Sequence, residues 1–287
     1  MASALDAFRE FIDSTLERKR AGKAFVDIRK GYSHDVLEIR TENPLGHLKV
    51  TNIRRELEEY TGHRVRPVLE EERHISFELL FHPPVPLEFS LQSDGKRMHI
   101  GRDIDGNDIF LELSLCGHIL LFDKDGLLIA SLIAEMESRE GCFSPDICAV
   151  CEKRNWGRYK GLDLYCYDCL PTLIEQRGKS AGLVIVDISD ARFSESPALE
   201  KRLAAVLHSA LDMRVNIMLD VKNPGFITQD LLSYCASRIV GRVETPAASL
   251  SLLGSDLSYW LYGESEVALS APVYEKIMRV ELPQVER

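Results

Sequence analysis

The stretch "CGHILLFDKDGLLIASLIAEME" occupies Cys116–Glu137. Its apolar run, residues 117–122, suits a strand buried on both faces. A turn of Asp123, Lys124, Asp125 and Gly126 follows. Leu128, Ile129, Leu132 and Ile133 then recur at helical spacing. Strand, tight turn and amphipathic helix form the frame on which many nucleotide-binding proteins hold a phosphate at the helix start. Here the turn is short and carries two carboxylates. Whether it ever held a phosphate decides both the fold and the function of the chain.

The segments around this stretch set its context. "GLVIVDI" (182–188) reads as a strand, "SPALEKRLAAVLHSALD" (196–212) as a helix and "RVNIMLDV" (214–221) as a strand. "ITQDLLSYCAS" (227–237) reads as a helix, "RIVGRV" (238–243) as a strand and "TPAASLSLLG" (245–254) as a short helix. Ser196 suits an N-cap and Pro197 a first turn. This alternation predicts an α/β fold with a mainly parallel sheet and helices on both faces. Upstream, Leu5, Phe8, Phe11, Ile12 and Leu16 fit one face of a surface helix, with polar connections expected up to residue 45. Residues 47–62 read as a short strand turning into a helix, and "HISFELLF" (74–81) as a strand. Residues 82–91 read as a proline-broken link and an extended piece, 103–113 as a turn and strand, and 264–279 as extended pieces.

The chain has 287 residues, 45% apolar and 28% charged, with a formal charge of −10. It is long enough for one large domain or two ordinary ones. No apolar run reaches the roughly 18–20 residues that span a bilayer, and the N-terminus lacks the basic start and apolar block of a signal peptide. A cytoplasmic protein is expected. The acidic balance excludes nucleic-acid binding through the bulk field, so any such binding needs a local basic patch.

Four of the seven cysteines form two C-x-x-C pairs, Cys148/Cys151 and Cys166/Cys169, with fourteen residues between the pairs. That spacing points to a closed, structural Zn2+ site of four sulfurs. Pro171 suits a helix start behind the second pair and Gly178 its end. The expected module is a treble clef over 141–180. A redox dithiol is the other chemistry open to a single pair. Cys116, Cys142 and Cys235 read as ordinary buried cysteines, although Cys142 lies near enough to substitute as a ligand. Between the pairs, Lys153, Arg154, Arg158 and Lys160 interleave with Trp156 and Tyr159. Such a patch can neutralise phosphates and stack on bases, or grip a protein partner. It reads equally as a solvated hairpin whose tryptophan packs on the zinc module. His118 reads as structural, and His63, His74 and His82 have no ligand spacing.

"KRMHIGRDIDGNDIFLELSLCGHILLF" (96–122) resembles the entry to the motor domain of FtsK/SpoIIIE/HerA-type DNA translocases. Gly101, Asp103, Gly106, Leu113 and His118 fall in step, with Glu112 where the family often has Asp. Residues 182–191 resemble that family's Walker B strand, and 210–254 the elements that follow. The resemblance implies a RecA/FtsK-like, P-loop NTPase-type sheet split into 91–140 and 181–287. An α+β segment (1–90) precedes it and the zinc module interrupts it. The departures fall on the chemistry. The Gly-Lys-Ser/Thr that cradles phosphate and magnesium is missing. Asp123, Lys124 and Gly126 occupy its place, and Asp123 and Asp125 would repel a triphosphate. Asp187 stands where a magnesium-contacting aspartate would, but Ile188 replaces the catalytic glutamate, and Asp187 reads equally as a turn cap. The family's sensor-loop glutamine is also missing. The expectation is a non-catalytic pseudo-ATPase without ATP. It would bind DNA or protein in a translocase or nucleoprotein assembly of defence or mobile-element type, as a homo-oligomer or with an active ATPase paralogue. The alternatives are a zinc-containing protein adaptor without a DNA role, and a nucleotide-regulated ATPase subunit with an atypical phosphate loop.

Overall fold

The computed structural model describes residues 2–30, 34–70, 72–80, 97–122, 124, 126, 128–130, 132–133, 148–178, 183–189, 197–261 and 265–282. The chain divides into two compact units. One holds residues 1–86 and 104–106, the other 87–103 and 107–287.

In the first unit, α1 (Ala2–Arg18) and α2 (His47–Thr61) pack on a sheet of β1 (Ala24–Lys30), β2 (Asp35–Thr41), β3 (Arg64–Glu70) and β4 (His74–Leu80). The sheet is antiparallel, in the order β1-β2-β4-β3. Phe8, Ile12 and Leu16 of α1 and Val50, Ile53 and Leu57 of α2 form the buried helix stripes, at the three- and four-residue spacing of an amphipathic helix. They meet Leu37, Ile39, Ile75, Phe77 and Leu79 from alternate strand positions. Two expectations fail here. Residues 47–62 are helical from His47, with no leading strand, because Val50 already belongs to the helix stripe. The polar connections expected before residue 45 contain β1 and β2. Charged residues alternate with apolar ones in "AFVDIRK" and "DVLEIRT", and that half-exposed strand pattern passes for a loop.

The second unit is built on a ten-stranded sheet. Its strands are β5 (Arg97–Arg102), β6 (Asp108–Glu112), β7 (Ile119–Phe122), β8 (Cys148–Val150), β9 (Asp163–Tyr165), β10 (Leu183–Asp187), β11 (Asn216–Val221), β12 (Ser237–Val240), β13 (Glu266–Ser270) and β14 (Met278–Glu281). The order is β6-β5-β14-β13-β12-β7-β11-β10-β8-β9. From β12 to β9 every pairing is parallel. From β12 to β6 every pairing is antiparallel. β7, β8 and β10 are buried at every position, as parallel strands covered on both faces must be.

Helices cover each face. On one side α3 (Leu170–Arg177), α4 (Pro197–Asp212), α5 (Gln229–Ser233) and α6 (Pro246–Leu253) pack on Leu120, Phe122, Val150, Val184, Val186, Leu219 and Val221. On the other, Leu128, Ile129, Leu132 and Ile133 pack on Leu121, Ala149, Ile185 and Met218. Residues 128–130 and 132–133 are helical, as the opening stretch predicts. The remainder of that expected helix, to residue 140, lies outside the described residues, as does the expected link at 82–91.

The expected treble clef is not seen among the described residues, and 141–147 and 179–180 of the expected module lie outside them. β8 and β9 run parallel rather than as a hairpin, and both are strands of the main sheet. A 3-10 segment, Lys153–Tyr159, crosses between them. The region between the C-x-x-C pairs is therefore part of the α/β core, because "CAV" and "DLY" gain backbone partners only by extending the sheet.

Candidate functional site

In open parallel sheets, ligands bind outside the carboxyl ends of the strands, where the chain path reverses direction. Here that point is β7. After β7 the chain runs to β8 and returns through β10 and β11, then crosses β7 to β12. Register places Leu121, Asp220 and Asp187 in one row across β7, β11 and β10. Val150 pairs with Val186, so Cys151 continues the row next to Asp187. The row faces the layer of the helix after β7, since Ile185 and Met218, two residues before the aspartates, lie in that core.

Asp187 and Asp220 are both fully buried. Two buried carboxylates side by side are costly unless each is paired. One 3-10 segment supplies the side-chain partners. Asn155 donates Nδ2–H to Asp187 Oδ2 at 2.8 Å, while the Ser189 amide donates to Asp187 Oδ1 at 2.9 Å. Arg158 Nη2 lies 3.0 Å from Asp220 Oδ2 and 3.2 Å from Oδ1. The Tyr159 hydroxyl donates to Asp220 Oδ2 at 2.6 Å. Asn155 and Arg158 align because residues three apart eclipse on a 3-10 helix. Burial, then the Asp220 and Asp187 charges, push the Tyr159 hydroxyl far above its ordinary value, so it remains a donor. Burial, then Asp187, raise the Cys151 thiol to about 12.

The Arg158 guanidinium also reaches the turn after β7. A Cβ on Gly126 would lie 3.1 Å from its Nε and 3.2 Å from its Nη2, and Gly126 has φ +75°. The positive φ favours glycine there, and a side chain would also press on the guanidinium. Nε and Nη1 of Arg158 are buried without hydrogen-bond partners among the described residues. Lys124 turns aside to Glu244 on the loop after β12, at 2.6 Å. Asp123 lies outside the described residues.

These positions correct the expected surface patch. Tyr159 is fully buried and the Arg158 side chain only 13% exposed, so neither presents a face to nucleic acid. Their charges and hydroxyl are turned inward by the two aspartates. Lys153, Arg154, Trp156 and Lys160 remain at the surface or half-buried. Lys153 Nζ lies over the Trp156 ring at 5.9 Å, and Arg154 pairs with Glu152 at 3.1 Å. Asp220 and Asn155 are the site residues the sequence reading missed. A lone aspartate in the apolar strand "NIMLDV" was the available signal.

The four cysteines are not brought to one point. Cys148 packs in the core of one face and Cys151 in that of the other, because three residues along a strand reverse the side-chain direction. Cys166 and Cys169 are exposed, with sulfurs 3.2 Å apart. Among the described residues no group of three or more His, Cys, Asp or Glu could hold a metal ion. Cys148, Cys151, Cys166 and Cys169 are not gathered into the expected four-sulfur site among the described residues, and Cys142 lies outside them. The hydrogen bond shared by the two thiols, in which either can donate, then the Cys169 amide, lower the Cys166 pKa, and the same shared bond raises that of Cys169.

His118 sits at the start of β7, fully buried. Its Nδ1 accepts from the Ile217 amide at 3.1 Å, so Nε2 carries the proton and donates to the Leu207 carbonyl at 2.7 Å. Burial holds its pKa below the ordinary value, with the Leu207 carbonyl opposing.

No protein-family model and no curated protein matches the chain by sequence. Solved structures do match by shape. The pCW3 conjugation coupling protein TcpA, in its monomer form with ATPgS, aligns over 96% of this chain and 94% of its own at 11% identity, TM-score 0.56. ATPases 2 and 3 of EssC from Geobacillus thermodenitrificans align over 72% of this chain and 49% of their own, at 12% identity and TM-score 0.56. The cytoplasmic domain of the Thermomonospora curvata Type VII secretion ATPase EccC aligns over 72% and 30%, at 14% identity and TM-score 0.54. The fold is mixed α/β with a large parallel-rich sheet, and it is similar to the P-loop NTPase-like fold of these structures. No helix among the described residues is long and apolar enough to cross a membrane.

Proposed function

We propose that this chain is a non-catalytic member of the FtsK/HerA-type fold that works by binding rather than by turnover. One observation carries the reading. The strand-end carboxylates, on which such a fold would organise magnesium and a nucleotide, are paired from within the chain. Asn155 and the Ser189 amide hold Asp187; Arg158 and Tyr159 hold Asp220. A magnesium ion takes oxygen ligands in near-octahedral geometry. To reach Asp220 it would have to displace an arginine and a tyrosine, and leave that arginine buried. The missing Gly-Lys-Ser/Thr and the Ile188 after Asp187 support the same conclusion.

The binding surface is the outer side of the same segment, where Lys153 lies over Trp156 and Arg154 and Lys160 are exposed. Cations beside a partly exposed indole suit a nucleic-acid backbone with stacked bases. The likeness to TcpA, a conjugation coupling protein, supports a place in a DNA-handling assembly, with a second copy or an active ATPase as partner. Two assays test the reading. Phosphate release from MgATP, with and without DNA, is expected to equal that of Asp187→Asn. Release that depends on Asp187 would overturn the non-catalytic reading. Fluorescence anisotropy with labelled DNA is expected to show binding that weakens with salt and is lost in a Lys153→Glu/Arg154→Glu/Lys160→Glu variant. No salt-dependent binding by the wild type would point instead to a protein adaptor.

A further inference from the structure

The outward-facing C-x-x-C pair is chemistry that the strand-end cluster leaves unused. Cys166 follows β9 and Cys169 directly precedes α3. A single turn, closed by the Cys169 amide on the Cys166 carbonyl at 3.0 Å, brings the two together. Their sulfurs are 3.2 Å apart and both residues are exposed. Neither cysteine of the first pair joins them. Cys148 and Cys151 lie roughly 10 Å apart along the strand direction, at about 3.3 Å per residue, and face opposite cores. Zinc–sulfur bonds of about 2.3 Å cannot bridge that span.

We propose that Cys166 and Cys169 form a reversible dithiol–disulfide site that exchanges with small disulfides such as glutathione disulfide. Cys166 is the attacking sulfur: it caps the 3-10 turn Tyr167–Cys169 that runs into α3, and the amides at such a start favour a thiolate. Its thiolate attacks one sulfur of glutathione disulfide. That S–S bond breaks, and one glutathione leaves as a thiolate, which takes up a proton. Cys169 gives its proton to water and attacks the Cys166 sulfur, breaking the mixed disulfide and releasing the second glutathione. The two protein thiols are oxidised to one disulfide as glutathione disulfide is reduced to two glutathiones.

The loop between the cysteines is anchored. The Tyr167 hydroxyl donates to the Asp187 carbonyl. Arg202 of α4 holds the Asp168 carboxylate at 3.0 Å. Tyr167 and Asp168 thus tie the loop between the cysteines to β10 and α4. The site does not depend on whether the chain binds nucleotide or DNA.

The test uses the whole chain, reduced and desalted, with zinc measured first. It is then equilibrated across ratios of oxidised to reduced glutathione, and its thiols are mapped by alkylation and peptide mass spectrometry. The wild type is expected to lose two hydrogens at Cys166–Cys169 and regain them with dithiothreitol. Cys169→Ser is expected to retain glutathione on Cys166, and Cys166→Ser to form no internal disulfide. Three results would overturn the proposal: a pair that stays reduced in excess glutathione disulfide, wild-type glutathione adducts that never close, and stoichiometric zinc that must be removed before the pair reacts.

Discussion

Arg158 is the residue on which the strand ends depend. It neutralises one of two adjacent buried carboxylates and fills the space beside Gly126. Removing one partner of a buried ion pair leaves the other charge stranded, at a cost of about 3–5 kcal/mol. Arg158→Met should therefore lower unfolding stability by that order in urea titration, and Arg158→Met/Asp220→Leu should recover most of the loss. A double variant no more stable than the single one would show that the pair is not what holds the segment in place. Tyr159→Phe should cost less, about 1–3 kcal/mol, because Asp220 keeps its arginine.

His118 gives the site a pH dependence with a definite sign. Its folded pKa lies below the unfolded value of about 6.5. Above that value both states are neutral and the stability is complete. As pH falls through about 6.5 the unfolded chain takes up a proton and the folded chain does not, so stability declines until the folded pKa is reached. The slope approaches about 1.4 kcal/mol per pH unit within that window. Chemical denaturation at pH 7.5, 6.5 and 5.5 should show the decline, and His118→Gln should flatten it even if it is less stable throughout. An unchanged slope in the variant would assign the acid sensitivity to another group.

At the scale of elements, β7, β10, β11 and β12 of the parallel half were legible and β8 and β9 were not, while in the antiparallel wing extended pieces were legible at 103–113 and 264–279 but their pairing was not. "GLVIVDI", "RVNIMLDV" and "RIVGRV" are continuous apolar runs separated by helices, and each became a strand of the parallel sheet. The antiparallel wing joins β5 and β6 to β13 and β14, which lie some 150 residues later in the sequence, and no local pattern encodes that pairing. Gly101 marks the join. A Cβ there would fall 2.2 Å from the Glu281 carbonyl oxygen and 2.8 Å from the Val280 side chain. Gly101→Ala should separate β5 from β14 and destabilise the second unit by about 2 kcal/mol or more, on the scale of overpacking. Amide hydrogen exchange should localise the loss to β5, β6 and β14. Unchanged protection there would mean the close approach is relaxed in solution.

The cysteine spacing hid the strands β8 and β9 for a related reason. The spacing of two C-x-x-C pairs is a local signal, whereas strand membership is decided by the neighbours. Once "CAV" pairs with β10, Cys148 and Cys151 must face opposite ways. The basic segment between the pairs shows the same limit. Nothing in "EKRNWGRYKG" distinguishes Arg154, which lies outside, from Arg158, which lies inside; that distinction comes from Asp220, more than sixty residues away.

At the scale of the whole molecule, likeness to TcpA extends over 96% of the chain, so both units have counterparts in a known architecture. The mixed α/β, P-loop NTPase-like fold is similar to that of TcpA, and the departures at Asp123, Lys124 and Ile188 carry the expectation of a silent site. What the sequence could not reveal was the internal replacement: an asparagine, an arginine and a tyrosine delivered onto the strand-end aspartates by a segment that reads as an insert. The central claim is that this replacement closes the site. Calorimetric titration of MgATP into the whole protein tests it most directly. The account predicts no heat of binding at micromolar to submillimolar nucleotide in the wild type. Saturable, magnesium-dependent binding of micromolar affinity that is abolished by Asp187→Asn would contradict it.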